Sequence, residues 1–185
     1  MRPRRHQSAA LVACALTALA VAGCSSGRPD GTAREGLYET VAGLDYNVFI
    51  TRELNLRDAE DHGYYAGPEA RPGFALYGLF LTVCNDGHGF RTPLTQFTIE
   101  DNQGNRFHPL PLPADNVFAY RPRRLSHKAC IPEAGGAAAT GPTAGALLLY
   151  KFPLSALENR PLEMVISNRP GPAAPPQTKR IELDI

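Results

Sequence analysis

The sequence predicts an all-β domain, a sandwich of about seven short strands with Greek-key connections. Three observations carry that expectation. Apolar segments are short and broken by turn residues, with 17 glycines and 17 prolines in 185 residues. Two segments have the patterning of strands, one alternating with period two and one continuously apolar. No segment keeps the three-to-four spacing of an amphipathic helix over several turns. Residues 37–185 are long enough for one core but not comfortably for two.

The chain opens with Arg2, Arg4 and Arg5 and no acid, followed by an apolar stretch over residues 9–22. A basic segment followed by an apolar one is the pattern of an export signal, and the run is shorter than the roughly 20 residues a spanning helix needs. It ends in Val21-Ala22-Gly23-Cys24, which resembles the lipobox of bacterial lipoproteins at every position. The resemblance implies that residues 1–23 are removed and that Cys24 carries the lipid. The alternative is an ordinary secretory signal that leaves Cys24 a spare thiol. Residues 24–36 begin with small polar residues and read as a tether. Loss of the three signal arginines leaves 16 basic residues against 18 acidic, a net charge of about −2, so the totals suggest no nucleic-acid surface.

The strand candidates follow in order. Residues 43–54 place Leu44, Tyr46, Val48 and Ile50 on one face, against Asp45, Asn47, Phe49 and Thr51. Residues 57–73 are polar and read as a long loop. Residues 74–85 form a nearly continuous apolar run suited to a central strand buried on both faces. Residues 94–100 and 106–110 flank Asp101-Asn102-Gln103-Gly104-Asn105, a turn cluster that predicts a hairpin. Residues 144–152 are another buried strand, and residues 162–167 and 179–185 are the last two, separated by a proline-rich stretch. The spacing suits a sandwich with immunoglobulin-like connections.

Export would place Cys84 and Cys130 where disulfides form, Cys14 having left with the signal and Cys24 being taken by lipid. The alternatives are two unpaired buried thiols or, with less support, a zinc site, although no Cys-x-x-Cys or close His pair flanks either cysteine.

The hydrophobic strand ending in Cys84-Asn85-Asp86, the hairpin from Phe97 to Phe107 and the strand exit from Leu147 to Leu154 together resemble the telokin-like domains of bacterial lipoproteins and secreted antigens. These are immunoglobulin-like sandwiches, many in a domain family of unknown function related to the mycobacterial secreted immunoprotective antigen. The resemblance implies structural roles for Asn85 and Gly104. The sequence departs from that pattern in the long proline-rich loop over residues 109–142.

Signatures of chemistry are sparse. There is no Gly-x-Ser-x-Gly, phosphate-binding glycine loop or His-Glu-x-x-His. His88 lies four residues beyond Cys84, but a cysteine in a disulfide cannot act as nucleophile. The acidic run Asp58, Glu60, Asp61, His62 lacks the alternating ligands of a calcium loop. No catalytic residue, metal ligand or cofactor is therefore assigned. Tyr64, Tyr65, Phe118 and Tyr120 lie in polar or proline-rich surroundings, either as parts of a binding surface or as caps on the sandwich. Arg121, Arg123 and Arg124 form a local basic run, read as an anion-binding patch or a solvated loop. Two functions remain. One is a non-catalytic binding or adaptor domain, anchored to the membrane by lipid and facing a protein or cell-envelope ligand. The other is a ligand or metal carrier, which requires at least two of His62, His88, His108 and His127 in one coordination sphere.

Overall fold

The computed structural model describes residues 32–168 and 176–185. The expected export signal, residues 1–23, and residues 24–31 of the expected tether, Cys24 included, lie outside the described residues. The strands in chain order are β1 (Thr32–Arg34), β2 (Tyr38–Val41), β3 (Leu44–Glu53), β4 (Phe74–Cys84), β5 (Phe97–Glu100), β6 (Arg106–Phe107), β7 (Cys130–Ile131), β8 (Ala146–Pro153), β9 (Glu163–Asn168) and β10 (Gln177–Glu182). One short helix, α1 (Ala59–Tyr64), lies between β3 and β4, and another, α2 (Ala137–Thr140), precedes β8.

The strands form two sheets. The first runs β1-β10-β9-β5-β6, and the second runs β2-β3-β4, with β8 and β7 both pairing along the far edge of β4. All pairings are antiparallel except β1, which runs parallel to β10. The chain is an all-β sandwich, with ten strands among the described residues where about seven were expected. Residues 32–34, expected in the tether, belong to the folded body.

Alternation along β4 explains its long apolar run. Leu79, Leu81 and Val83 face the other sheet and pack with Phe97, Ile99, Met164, Ile166 and Ile181. Leu76 and Phe80 face outward, yet both are at most 5% exposed. A third layer covers them: α1 and the proline-rich loop bring in Tyr64, Leu110, Leu112 and Phe118. Each leucine buried this way contributes about 1.5–3 kcal/mol. Gly78 also faces that layer, where an added Cβ would stand 3.0 Å from Phe80, 3.1 Å from Leu147 and 3.3 Å from Leu54. Those neighbours occupy the volume a side chain would need.

The alternation predicted for β3 breaks at Phe49. Val48 pairs with Leu81, but the next pair is Ile50 with Phe80, so Phe49 is the extra residue of a β-bulge. One inserted residue exchanges the faces of all that follow. Leu44, Tyr46 and Val48 point between the sheets, whereas Ile50 packs with Tyr64 and Phe80 on the outer side. Phe49 itself is 54% exposed.

The hairpin is built as expected. Asp101 accepts from the backbone of Gln103 and Asn105, both at 2.9 Å, and from the Asn105 side chain at 2.7 Å. Gly104 takes φ +81°, where a side chain would be strained. Asn85 is fully buried and donates through Nδ2 to the carbonyls of Gly89 and Leu125, at 2.9 and 3.0 Å. Cys84 and Cys130 face each other across β4 and β7 in a disulfide, 46 residues apart in sequence.

Candidate binding surface

The proline-rich loop is held to the edge of β8 at two points. The Leu110 amide donates to the Leu149 carbonyl at 2.6 Å, and Tyr120 and Leu147 exchange bonds with their neighbours in a short parallel bridge. Between those points Pro109, Leu110, Pro111, Leu112 and Pro113 alternate, with the leucines packed in the outer layer and Pro111 and Pro113 exposed.

Helix α1 approaches from the other side. The Asp58 side chain caps its first turn, accepting from the amides of Glu60 and Asp61. Arg52 of β3 holds Asp61 at 2.6 Å and Glu60 at 2.8 Å. The helix ends on Tyr64, which is 1% exposed, with its ring edge-on to Phe80 at 4.9 Å and to Phe118 at 4.8 Å. Its hydroxyl accepts from the Thr143 amide at 2.9 Å, and its carbonyl accepts from the Asn116 side chain at 2.8 Å.

Between the loop and the segment after α1 lies an open groove of about 580 Å³. Its walls are Tyr65, Pro68, Pro111, Pro113, Val117 and Phe118, with Asp115 and Asn116 supplying polar groups. The end of the Tyr65 ring lies against Gly67, where an added Cβ would be 2.2 Å away and would displace the ring. Val117 is 68% exposed at the rim.

The aromatic candidates therefore divide. Tyr65 and Phe118 line the groove, but Tyr64 and Tyr120 do not form a surface. Tyr64 is the pier beneath the groove. Tyr120 is 8% exposed, packs edge-on against Phe97 at 5.2 Å, and donates to the Leu94 carbonyl at 2.8 Å. Tyr46 accepts from the amide of the same Leu94 at 3.0 Å. Burial holds the phenols of both Tyr46 and Tyr120 above their ordinary range.

The arginines divide as well. Arg121 donates to the carbonyls of Leu112 and Pro113, closing the loop. Arg123 donates to the Cys130 carbonyl at 2.9 Å. Arg124 lies over the Phe90 ring, 4.4 Å from its centroid. Three guanidinium groups with three separate tasks do not make one anion site.

Of His62, His88, His108 and His127, the second and fourth come together, with rings stacked at 5.6 Å and 22° apart. His127 Nδ1 is 3.1 Å from the Gly87 carbonyl. Nearly parallel rings direct their lone pairs side by side, whereas a zinc ion needs them to converge at about 2.0–2.1 Å. His108 contacts Thr98 on the opposite sheet, and His62 lies in the last turn of α1. No group of three or more metal-ligating side chains occurs among the described residues.

On the outer face of the first sheet, Arg180 joins Glu163 at 2.9 Å and Glu100 at 2.8 Å, and Arg106 adds a second partner to Glu100. Burial raises the Glu100 pKa, but the bonds and charges of Arg180 and Arg106 outweigh it and hold the carboxyl below its ordinary range. The network ties β5, β6, β9 and β10 together.

No family model matches the sequence, and no curated protein matches it. Among solved structures, the chain is similar to an uncharacterized β-sandwich protein from Clostridium difficile 630. The identity is 8%, the TM-score 0.47, and the match covers 85% of this chain and 97% of the other.

Proposed function

We propose that the chain is a membrane-anchored extracytoplasmic lipoprotein whose immunoglobulin-like sandwich is a non-catalytic binding module. The observation that carries this reading is the lipobox sequence Val21-Ala22-Gly23-Cys24 ahead of a domain stapled by a disulfide. The cysteine supplies a lipid attachment point, and the disulfide suits an oxidising compartment outside the cytoplasm. The immunoglobulin-like reading is supported by the strand order. β3-β4-β8 on one side and β6-β5-β9-β10 on the other follow the Greek-key alternation of such sandwiches, and a leading strand lies parallel to the last. The resemblance to telokin-like antigen domains is supported by the roles of Asn85 and Gly104 in the turns where that pattern puts them.

The groove beside Tyr65 and Phe118 is the surface assigned to the ligand. Rigid prolines and aromatics lose little entropy on binding, and an open apolar trough suits an extended protein segment rather than an enclosed small molecule. Two variants test the reading. Cys24→Ser should block both lipid attachment and the cut in front of residue 24, leaving a full-length chain without lipid mass; a variant still cut before residue 24 overturns the anchor. A photoreactive residue in place of Val117 should cross-link one discrete protein, with the adduct lost on Phe118→Ala. Equal labelling with or without Phe118 overturns the groove as the binding surface.

A further inference from the structure

We infer that one end of the sandwich docks on anionic phospholipid headgroups. The inference rests on the lipid-anchored reading. It starts from the direction in which the chain enters the fold. β1 runs parallel to β10, with Thr32 beside Arg180, so the start of β1 points toward Gln177, the first residue of β10. The Gln177 side chain accepts from the Ala42 amide at 2.9 Å, and Arg91 donates to the Ala42 carbonyl at 3.4 Å. The Arg91 guanidinium stands where a Cβ on Gly43 would be, at 2.7 Å. These contacts identify the end of the sandwich nearest the anchor: it is where β4 finishes at Cys84.

That end presents an exposed ring amid cations. Phe90 is 61% exposed, with Arg124 over its face at 4.4 Å. Arg91 follows it and is locked to Leu125 by two backbone bonds, at 2.9 and 2.8 Å. His88 and His127 stack beside them, and the exposed Lys128 is paired with Asp86 at 3.1 Å. Among the described residues no carboxylate pairs with Arg91 or Arg124, while Lys128 and Asp86 cancel. From Cys24 to Thr32 the chain reaches at most about 28 Å when fully extended, shorter than the length of β4, about 34 Å. A lipid on Cys24 therefore brings this end near the bilayer, where an aromatic ring suits the interface and each arginine strengthens attraction to an anionic surface about fivefold.

The chain has no tryptophan, so Phe90→Trp is a single reporter. The control is Phe74→Trp at the opposite end, 38% exposed and beside Arg71 and Lys151. Phe74 and Cys84 are ten residues apart along β4, about 34 Å. The full chain, purified from bacterial membranes, is reconstituted in vesicles of neutral phosphatidylcholine or in vesicles containing 30% phosphatidylglycerol, with acyl chains brominated in either case. The proposal predicts quenching and a blue shift of Phe90→Trp in anionic vesicles only, loss of both at high salt, and little quenching of Phe74→Trp. Adding Arg91→Gln and Arg124→Gln should lower the docked-to-undocked ratio about 25-fold. Intact mass is read on the same samples. A lipidated chain whose reporter is unquenched, or equally quenched in neutral vesicles or at Phe74, overturns the docking and leaves the anchor standing. An unlipidated chain overturns both.

Discussion

Tyr64 is where the outer layer can be tested with one residue. Its ring is clasped between Phe80 and Phe118, and its hydroxyl accepts the Thr143 amide, a bond that joins α1 to the segment before β8. Tyr64→Phe keeps the ring and strands a buried amide, which costs about 1.5 kcal/mol. Tyr64→Ala removes the ring as well; truncating a buried aromatic costs about 3–5 kcal/mol, and the lost bond brings the sum to about 5 kcal/mol. Since a domain is stable by about 5–15 kcal/mol, the alanine variant should lose about a third or more of its stability. The phenylalanine variant should melt about 3–6 °C lower. Urea unfolding followed by far-ultraviolet circular dichroism gives both free energies. Equal losses in the two variants, or no loss in either, would refute the clasped-ring account and return Tyr64 to the surface.

Three further predictions concern the rest of the fold. Replacing both Cys84 and Cys130 with serine opens a loop of 46 residues and should cost about 4 kcal/mol in chemical unfolding on the chain-entropy account; unchanged stability would contradict a formed bridge. The Tyr150 hydroxyl is fully buried and has no partner among the described residues, so Tyr150→Phe should raise stability by about 1 kcal/mol, and a loss would mean the hydroxyl is bonded. At Asp101 burial raises the carboxyl pKa, but bonds from Asn105, Asn159 and Gln103 outweigh it and hold it below the ordinary 3.8. A depressed carboxylate stabilises the fold above its unfolded pKa, and that contribution is lost as pH falls through the folded value. Melting temperature between pH 2 and 5 should therefore fall more steeply in the parent chain than in Asp101→Asn; parallel curves would contradict it.

Much of the fold was legible because its strands carry their own signals. Continuous burial predicted β4 and β8, and the Asp101 to Asn105 turn chemistry predicted the β5–β6 hairpin. The short strands were not legible. β1 is three residues long and exists through its pairing with β10, and β7 is two residues long, lying opposite the Cys84 end of β4. The bulge at Phe49 was hidden because local alternation looks unbroken through it; only the pairing with Phe80 and Leu81 shows that Ile50 has changed sides. Tyr64 and Tyr120 could not be assigned between surface and cap because their surroundings in sequence are polar or proline-rich, whereas their neighbours in space are aromatic. The groove draws its walls from segments some forty residues apart, so no local window contains it. The signal that could have found it is the Pro-Leu-Pro-Leu-Pro alternation over residues 109–113, which reads as an extended segment with leucines inward and prolines outward.

The central claim is an exported, lipid-anchored sandwich closed by one disulfide, and intact mass tests both halves of it. The protein is purified from bacterial membranes and weighed with and without reduction and alkylation. The expected species begins at Cys24, carries added lipid mass, and gains alkyl groups on Cys84 and Cys130 only after reduction. A chain without lipid would contradict the anchor, and alkylation of Cys84 and Cys130 before reduction would contradict the staple.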